Sequence, residues 1–133
     1  MNILEFVQNV HVRQFKSGDV IFSRGEECDG RMYFIFSGEM SVIKKQGDGE
    51  VVIRKMYPGE FFGEMALISS EPRAATMKVT SKEAKLGIID EAIFYKLAKN
   101  SPEFLFALLK STISRMVDLD RALDAYREQR PVE

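Results

Sequence analysis

The sequence predicts a mainly β domain, a sandwich or barrel of short strands with helices following it. Three observations carry this reading. All nine glycines lie between Gly18 and Gly87, and the stretch from Ile88 to Glu133 has none. Short β-prone runs alternate with glycine-bearing turns at a spacing of roughly ten residues, too close for the helices that βαβ units insert between strands. From Asp90 onward the apolar spacing becomes helical. With 133 residues the chain is expected to form one domain over 1–133, its β part at about 11–90 and its C-terminal helices at about 91–128.

Taken in order, residues 2–10 place Leu4, Phe6, Val7 and Val10 at the spacing of a short helix. Strands are expected over 19–22, 32–37, 40–45 and 51–57. Between the last two, the run from Gln46 to Glu50 carries two glycines and reads as a hairpin tip, because glycine supplies positive φ. Residues 84–90 form the last expected strand. Asp90 can then cap a helix bearing Ile93, Phe94, Leu97 and Ala98. Ser101 followed by Pro102 opens a second, long helix over about 103–127, and Pro131 ends any continuation.

Composition excludes several functions. Nineteen Lys and Arg against twenty Asp and Glu leave a net charge of −1, without the basic footprint of a protein whose main partner is nucleic acid. No run approaches the ~20 apolar residues of a membrane span, and the first residues lack a signal peptide's basic start, so no membrane partner and a cytoplasmic location are expected. A single cysteine, Cys28, permits no internal disulfide. One cysteine and one histidine, His11, cannot supply the usual zinc ligands. No metal, no cofactor and no catalysis are expected, with Cys28 an ordinary loop thiol.

The chemistry concentrates in Phe62-Gly63-Glu64-Met65-Ala66-Leu67-Ile68-Ser69-Ser70-Glu71-Pro72-Arg73-Ala74-Ala75-Thr76, which fits neither period. Gly63 lets a ligand approach the backbone, and residues 64–69 suffice for a helical turn whose first N–H groups lack internal partners. Arg73 offers a planar fork of donors that matches phosphate oxygens, beside small Ala74 and Ala75. Glu64 would repel a phosphate, so its oxygens suit a sugar hydroxyl. The alternative is an exposed Glu64–Arg73 ion pair worth about 0 to 1 kcal/mol.

This run resembles the phosphate-binding cassette of cyclic nucleotide-binding domains, as found in regulatory subunits of cAMP-dependent protein kinase and in the sensor domain of the catabolite activator protein. The nine-residue separation of Glu64 and Arg73 fits, as do Gly18-Asp19-Val20-Ile21-Phe22, Gly25-Glu26, Tyr33-Phe34-Ile35, Ser37-Gly38-Glu39 and Pro58-Gly59-Glu60-Phe61-Phe62. The resemblance implies an eight-stranded antiparallel jelly-roll β-roll with a short cassette helix and C-terminal helices. It implies a ligand site at Gly63, Glu64, Met65, Ala66, Arg73, Ala74 and Ala75. There Glu64 accepts from the ribose 2′-hydroxyl, Arg73 pairs with the cyclic phosphate, and the N–H groups of Ala66 and Ala74 complete the cradle. Ala74 stands where a hydroxyl often marks cGMP preference, so cAMP is the expected ligand, with cGMP second. An Arg73→Ala chain is expected to fold normally and lose the nucleotide.

In that family the last helix also swings over the pocket and caps the base, for which Arg115, Leu119, Leu123 and Tyr126 are the candidates. The same helix carries Leu109, Thr112, Met116, Leu119, Leu123 and Tyr126 at the a and d spacing of a paired helix, so a homodimer is a candidate assembly. The expected function is a cyclic nucleotide sensor acting on a protein effector that the sequence does not identify. The alternative is an interaction scaffold of the same fold without ligand.

Overall fold

A computed structural model describes residues 10–129, and the expected helix over 2–10 and Pro131 lie outside the described residues, apart from Val10. Eight strands form two four-stranded antiparallel sheets: β1 (His11–Lys16), β8 (Glu83–Ile89), β3 (Met32–Ser37) and β6 (Phe61–Phe62) in one, β2 (Val20–Phe22), β7 (Thr76–Val79), β4 (Met40–Gln46) and β5 (Gly49–Met56) in the other. This is the jelly-roll β-roll. A single turn of 3₁₀ helix, Glu64–Leu67, interrupts the strands, and α1 (Glu91–Asn100) and α2 (Pro102–Gln129) follow them.

The first sheet is covered on both faces, which explains why β3 reads as the unbroken apolar run Met-Tyr-Phe-Ile-Phe. Alternation sends Tyr33 and Ile35 to the core between the sheets, with Leu86, Phe62, Met40 and Met77. Met32 and Phe34 face the other way, into a second core with Phe61, Ile89 and Phe104. That second core docks the helices. Phe104, fully buried, packs edge-to-face with Phe61 and Phe94, with ring centres 5.7 Å and 5.8 Å away.

Local signals account for several boundaries. The hairpin tip is tighter than the expected 46–50: Gln46 pairs with Gly49, leaving a two-residue turn whose first residue, Gly47, takes φ 62°. A positive φ at that position is what a type II′ turn needs. Asp90 caps α1 as expected, its side chain accepting from the Ile93 N–H at 2.8 Å. Ser101 does not cap α2 with its hydroxyl, which points to the Glu103 carboxylate instead. Its carbonyl takes the Phe104 N–H at 3.1 Å. Strands β1, β6 and β7 were not among the runs expected from the pattern of residues.

Because Phe104 is the main anchor of α2, Phe104→Ala is expected to destabilise the fold by about 3–5 kcal/mol. Urea unfolding followed by circular dichroism would measure it. A loss below 1 kcal/mol would mean that α2 does not depend on this contact.

Candidate functional site

A cavity of about 270 Å³ opens between the cassette and the second sheet. Its apolar floor comes from Phe22, Val42, Met56, Phe62 and Met77. The cassette supplies the rest through Gly63, Glu64, Met65, Ala66, Arg73, Ala74 and Ala75, together with Ser69, Glu71 and Pro72. All seven expected cassette residues therefore line one space. Of the four candidates on α2, only Arg115 reaches it; Leu119, Leu123 and Tyr126 are exposed on α2 beyond the lining.

Gly63 precedes the 3₁₀ turn with φ 76°, a left-handed value that side chains resist. Space is tight as well: a Cβ there would lie 3.0 Å from Arg73 Nη1 and 3.3 Å from the Phe22 ring, so both neighbours would have to give way. Its carbonyl accepts two donors, the Ala66 N–H at 3.1 Å and Arg73 Nη1 at 3.2 Å. The Ala66 N–H, expected in a phosphate cradle, is thus engaged inside the turn.

Arg73 is buried, with 7% of its surface exposed. Nη2 donates to Asp29 Oδ1 at 2.7 Å and to the Arg31 carbonyl at 2.8 Å, and the guanidinium lies 4.1 Å above the centre of the Phe22 ring. These bonds and that to Gly63 use three of five N–H groups and leave two for a ligand. Burial adds a cost to the expected Arg73→Ala chain: truncation would take the Arg73 donor from the Arg31 carbonyl, at about 1–3 kcal/mol for an unsatisfied group, while the Gly63 carbonyl would keep the Ala66 N–H.

Glu64 and Arg73 are not paired with each other, contrary to the alternative reading of the two. Glu64 pairs with Arg115 of α2, and both side chains are about one-fifth exposed. The carboxylate on the cassette and the cation on the helix therefore share the cavity wall. Nε of Arg115 is buried without a hydrogen-bond partner.

Three participants had no signal in the cassette itself. Asp29 meets Arg73 across 44 residues of sequence. Phe22 enters the sequence reading only as the end of the run 18–22. Cys28, read as an ordinary loop thiol, lines the cavity with its Sγ 3.6 Å from the Ala66 carbonyl and 3.7 Å from that of Ser69. Beneath them Tyr33 stacks on Phe62 with ring centres 5.1 Å apart. Burial pushes the Tyr33 hydroxyl above its ordinary value of 10.0, and the Asp29 carboxylate adds to this.

Comparisons with known proteins bear on the family and the fold. A family model described as the cyclic nucleotide-binding domain matches residues 12–101. The cAMP-dependent protein kinase type II regulatory subunit of Drosophila melanogaster is 39% identical over 85 residues, 64% of this chain and 22% of that protein. A cyclic nucleotide-gated potassium channel of Mesorhizobium japonicum is 35% identical over 113 residues, 85% of this chain and 30% of that protein. The chain thus spans less than a third of these relatives. The Thermus thermophilus catabolite activator protein superimposes with a TM-score of 0.77 at 22% identity, over 94% of this chain and 58% of that one.

A raised Tyr33 pKa means that the unfolded chain releases this proton at a lower pH than the folded one. Its contribution to stability is complete below about pH 10 and is lost as pH rises through the folded value. Ultraviolet titration should show a tyrosine ionising later than a free one, absent in Tyr33→Phe. A parent in which all four tyrosines ionise together near the free value would refute the shift.

Proposed function

The chain belongs to the cyclic nucleotide-binding domain family, and on that premise we propose a non-catalytic sensor that binds cAMP, with cGMP second, and reports occupancy through α2 to a protein effector. The observation that carries this reading is the ion pair between Glu64 and Arg115. It makes the acid that would receive the ribose hydroxyl the same group that holds the helix. A ribose 2′-hydroxyl arriving at Glu64 changes what Arg115 finds there, so the docking of α2 depends on occupancy. That dependence is the differential affinity that a population shift requires.

In this reading the two unused N–H groups of Arg73 take the cyclic phosphate, and the exposed Met65 and Ala74 with the half-buried Ala75 border the nucleotide. Ala74 brings no hydroxyl to the purine, which favours adenine over guanine. Arg115 stands nearest the base, and Leu119, Leu123 and Tyr126 follow along α2 as the surface that closes over it. The exposed Leu109, Met116, Leu119 and Leu123 provide an apolar stripe suited to a second copy of the chain, a homodimer. A cytoplasmic setting belongs to the same proposal. Near-neutral charge supports neither nucleic acid nor a membrane surface as the partner.

One observation favours the scaffold reading instead: Arg73 already has a carboxylate partner in Asp29. Thermal shift separates the two. A ligand present at a hundred times its dissociation constant stabilises the fold by about 2.7 kcal/mol, so cAMP should raise the melting temperature clearly and cGMP less. No shift with either nucleotide would support the scaffold.

A lysine at position 73 keeps the charge but loses the fork. Arg73→Lys is expected to weaken cAMP binding about tenfold or more, on the scale of a charged hydrogen bond of about 1.5–3 kcal/mol. Calorimetric titration checks this, and unchanged affinity would remove Arg73 from the site. Sedimentation at micromolar concentration tests the homodimer, which a monomer with and without cAMP would end.

A further inference from the structure

Four groups surround the Arg73 guanidinium, and three of them are oxygens. The carbonyls of Gly63 and Arg31 and the carboxylate of Asp29 each consume an N–H group. The fourth is the face of Phe22, 4.1 Å from the guanidinium carbon. An aromatic face attracts a cation through its quadrupole, so it holds the charge without using a donor and without neutralising it. Phe22 is also the best fixed of these neighbours that belong to side chains. It is 8% exposed at the end of β2 and leans on Tyr33 at 6.1 Å and Phe62 at 6.0 Å, whereas the Asp29 side chain is 48% exposed.

We infer that Phe22 is a positioning residue for anion binding at this site: its ring presets the plane of Arg73, which lines the cavity, so that the free N–H groups on Nε and Nη1 are held before any ligand arrives. This rests on the reading of Arg73 as the phosphate partner. Gly63 belongs to the same device, because a Cβ there would press on both the Phe22 ring and Arg73 Nη1. Without the ring the guanidinium keeps its charge and its oxygen partners but loses the surface that orients it. Ordering a freed side chain on binding costs about 0.5–1.5 kcal/mol, or about two- to twelvefold in affinity.

The test compares Phe22→Met, Phe22→Leu and Phe22→Tyr, each first shown to be folded by its unfolding transition, with cAMP titrated by calorimetry. Met and Leu retain apolar bulk and remove the ring, so whichever of them folds serves as the ringless protein. The ringless protein should bind cAMP about two- to twelvefold more weakly, while Phe22→Tyr should stay within twofold of the parent. Equal affinity in the ringless and Tyr proteins would overturn the inference, since a residue that only fills space would not distinguish them. Arg73→Lys serves as the control. If it binds cAMP as the parent does, the functional reading fails; if it loses affinity while the ringless protein does not, only the role of Phe22 fails.

Discussion

The sheet β1-β8-β3-β6 must be covered on both faces, and the placement of the other elements follows from that requirement. Residues of β3 alternate between the inter-sheet core and the helical core, so neither face can be left to water. The second sheet covers one side. Helices α1 and α2 cover the other, chiefly through Phe94, Phe104 and Leu108. The short β6 shares this arrangement, sending Phe61 to one core and Phe62 to the other. The cassette leaves β6 directly, so the double-faced sheet also sets where the cavity begins.

Within the cavity the same economy holds a buried cation. Arg73 gives up most of its hydration and recovers it from two carbonyls, one carboxylate and one ring. A cation this far from water is tolerated only when its partners are held in place. The partners come from the 28–31 loop, from Gly63 and from β2, three segments that only the closed roll brings together. Across the cavity, Glu64 and Arg115 connect the cassette to α2. One arginine thus knits the roll together from within, while the other ties it to the helix that leaves it.

Much of this was legible in the sequence because its causes are local. Residues 32–37, 40–45, 51–57 and 84–90 were read as strands close to where they form, and the change of period at Asp90 marks the first helix. The cassette was legible because its residues lie within one short run. Strand β1 escaped because it sits at the sheet edge with five of six residues exposed, which leaves no clean alternation to read. Strands β6 and β7, of two and four residues, are too short to show a period. Of the helix residues expected near the base, only Arg115 lines the cavity. Spacing along α2 gave no way to choose it, because heptad positions describe a face and not what the roll sets against it.

The sequence by itself determined the β-to-helix order, the position of the cassette and the chemistry its side chains carry. Each depends on properties that act over a few residues: side-chain alternation, helical period, glycine's freedom at positive φ, and a capping carboxylate. Only the tertiary structure decided the partners. Asp29 for Arg73, Arg115 for Glu64 and the ring of Phe22 under a guanidinium are contacts between segments far apart in the chain. Coulomb attraction and ring quadrupoles act through space, and their strength depends on a distance and a degree of burial that exist only once the roll has closed.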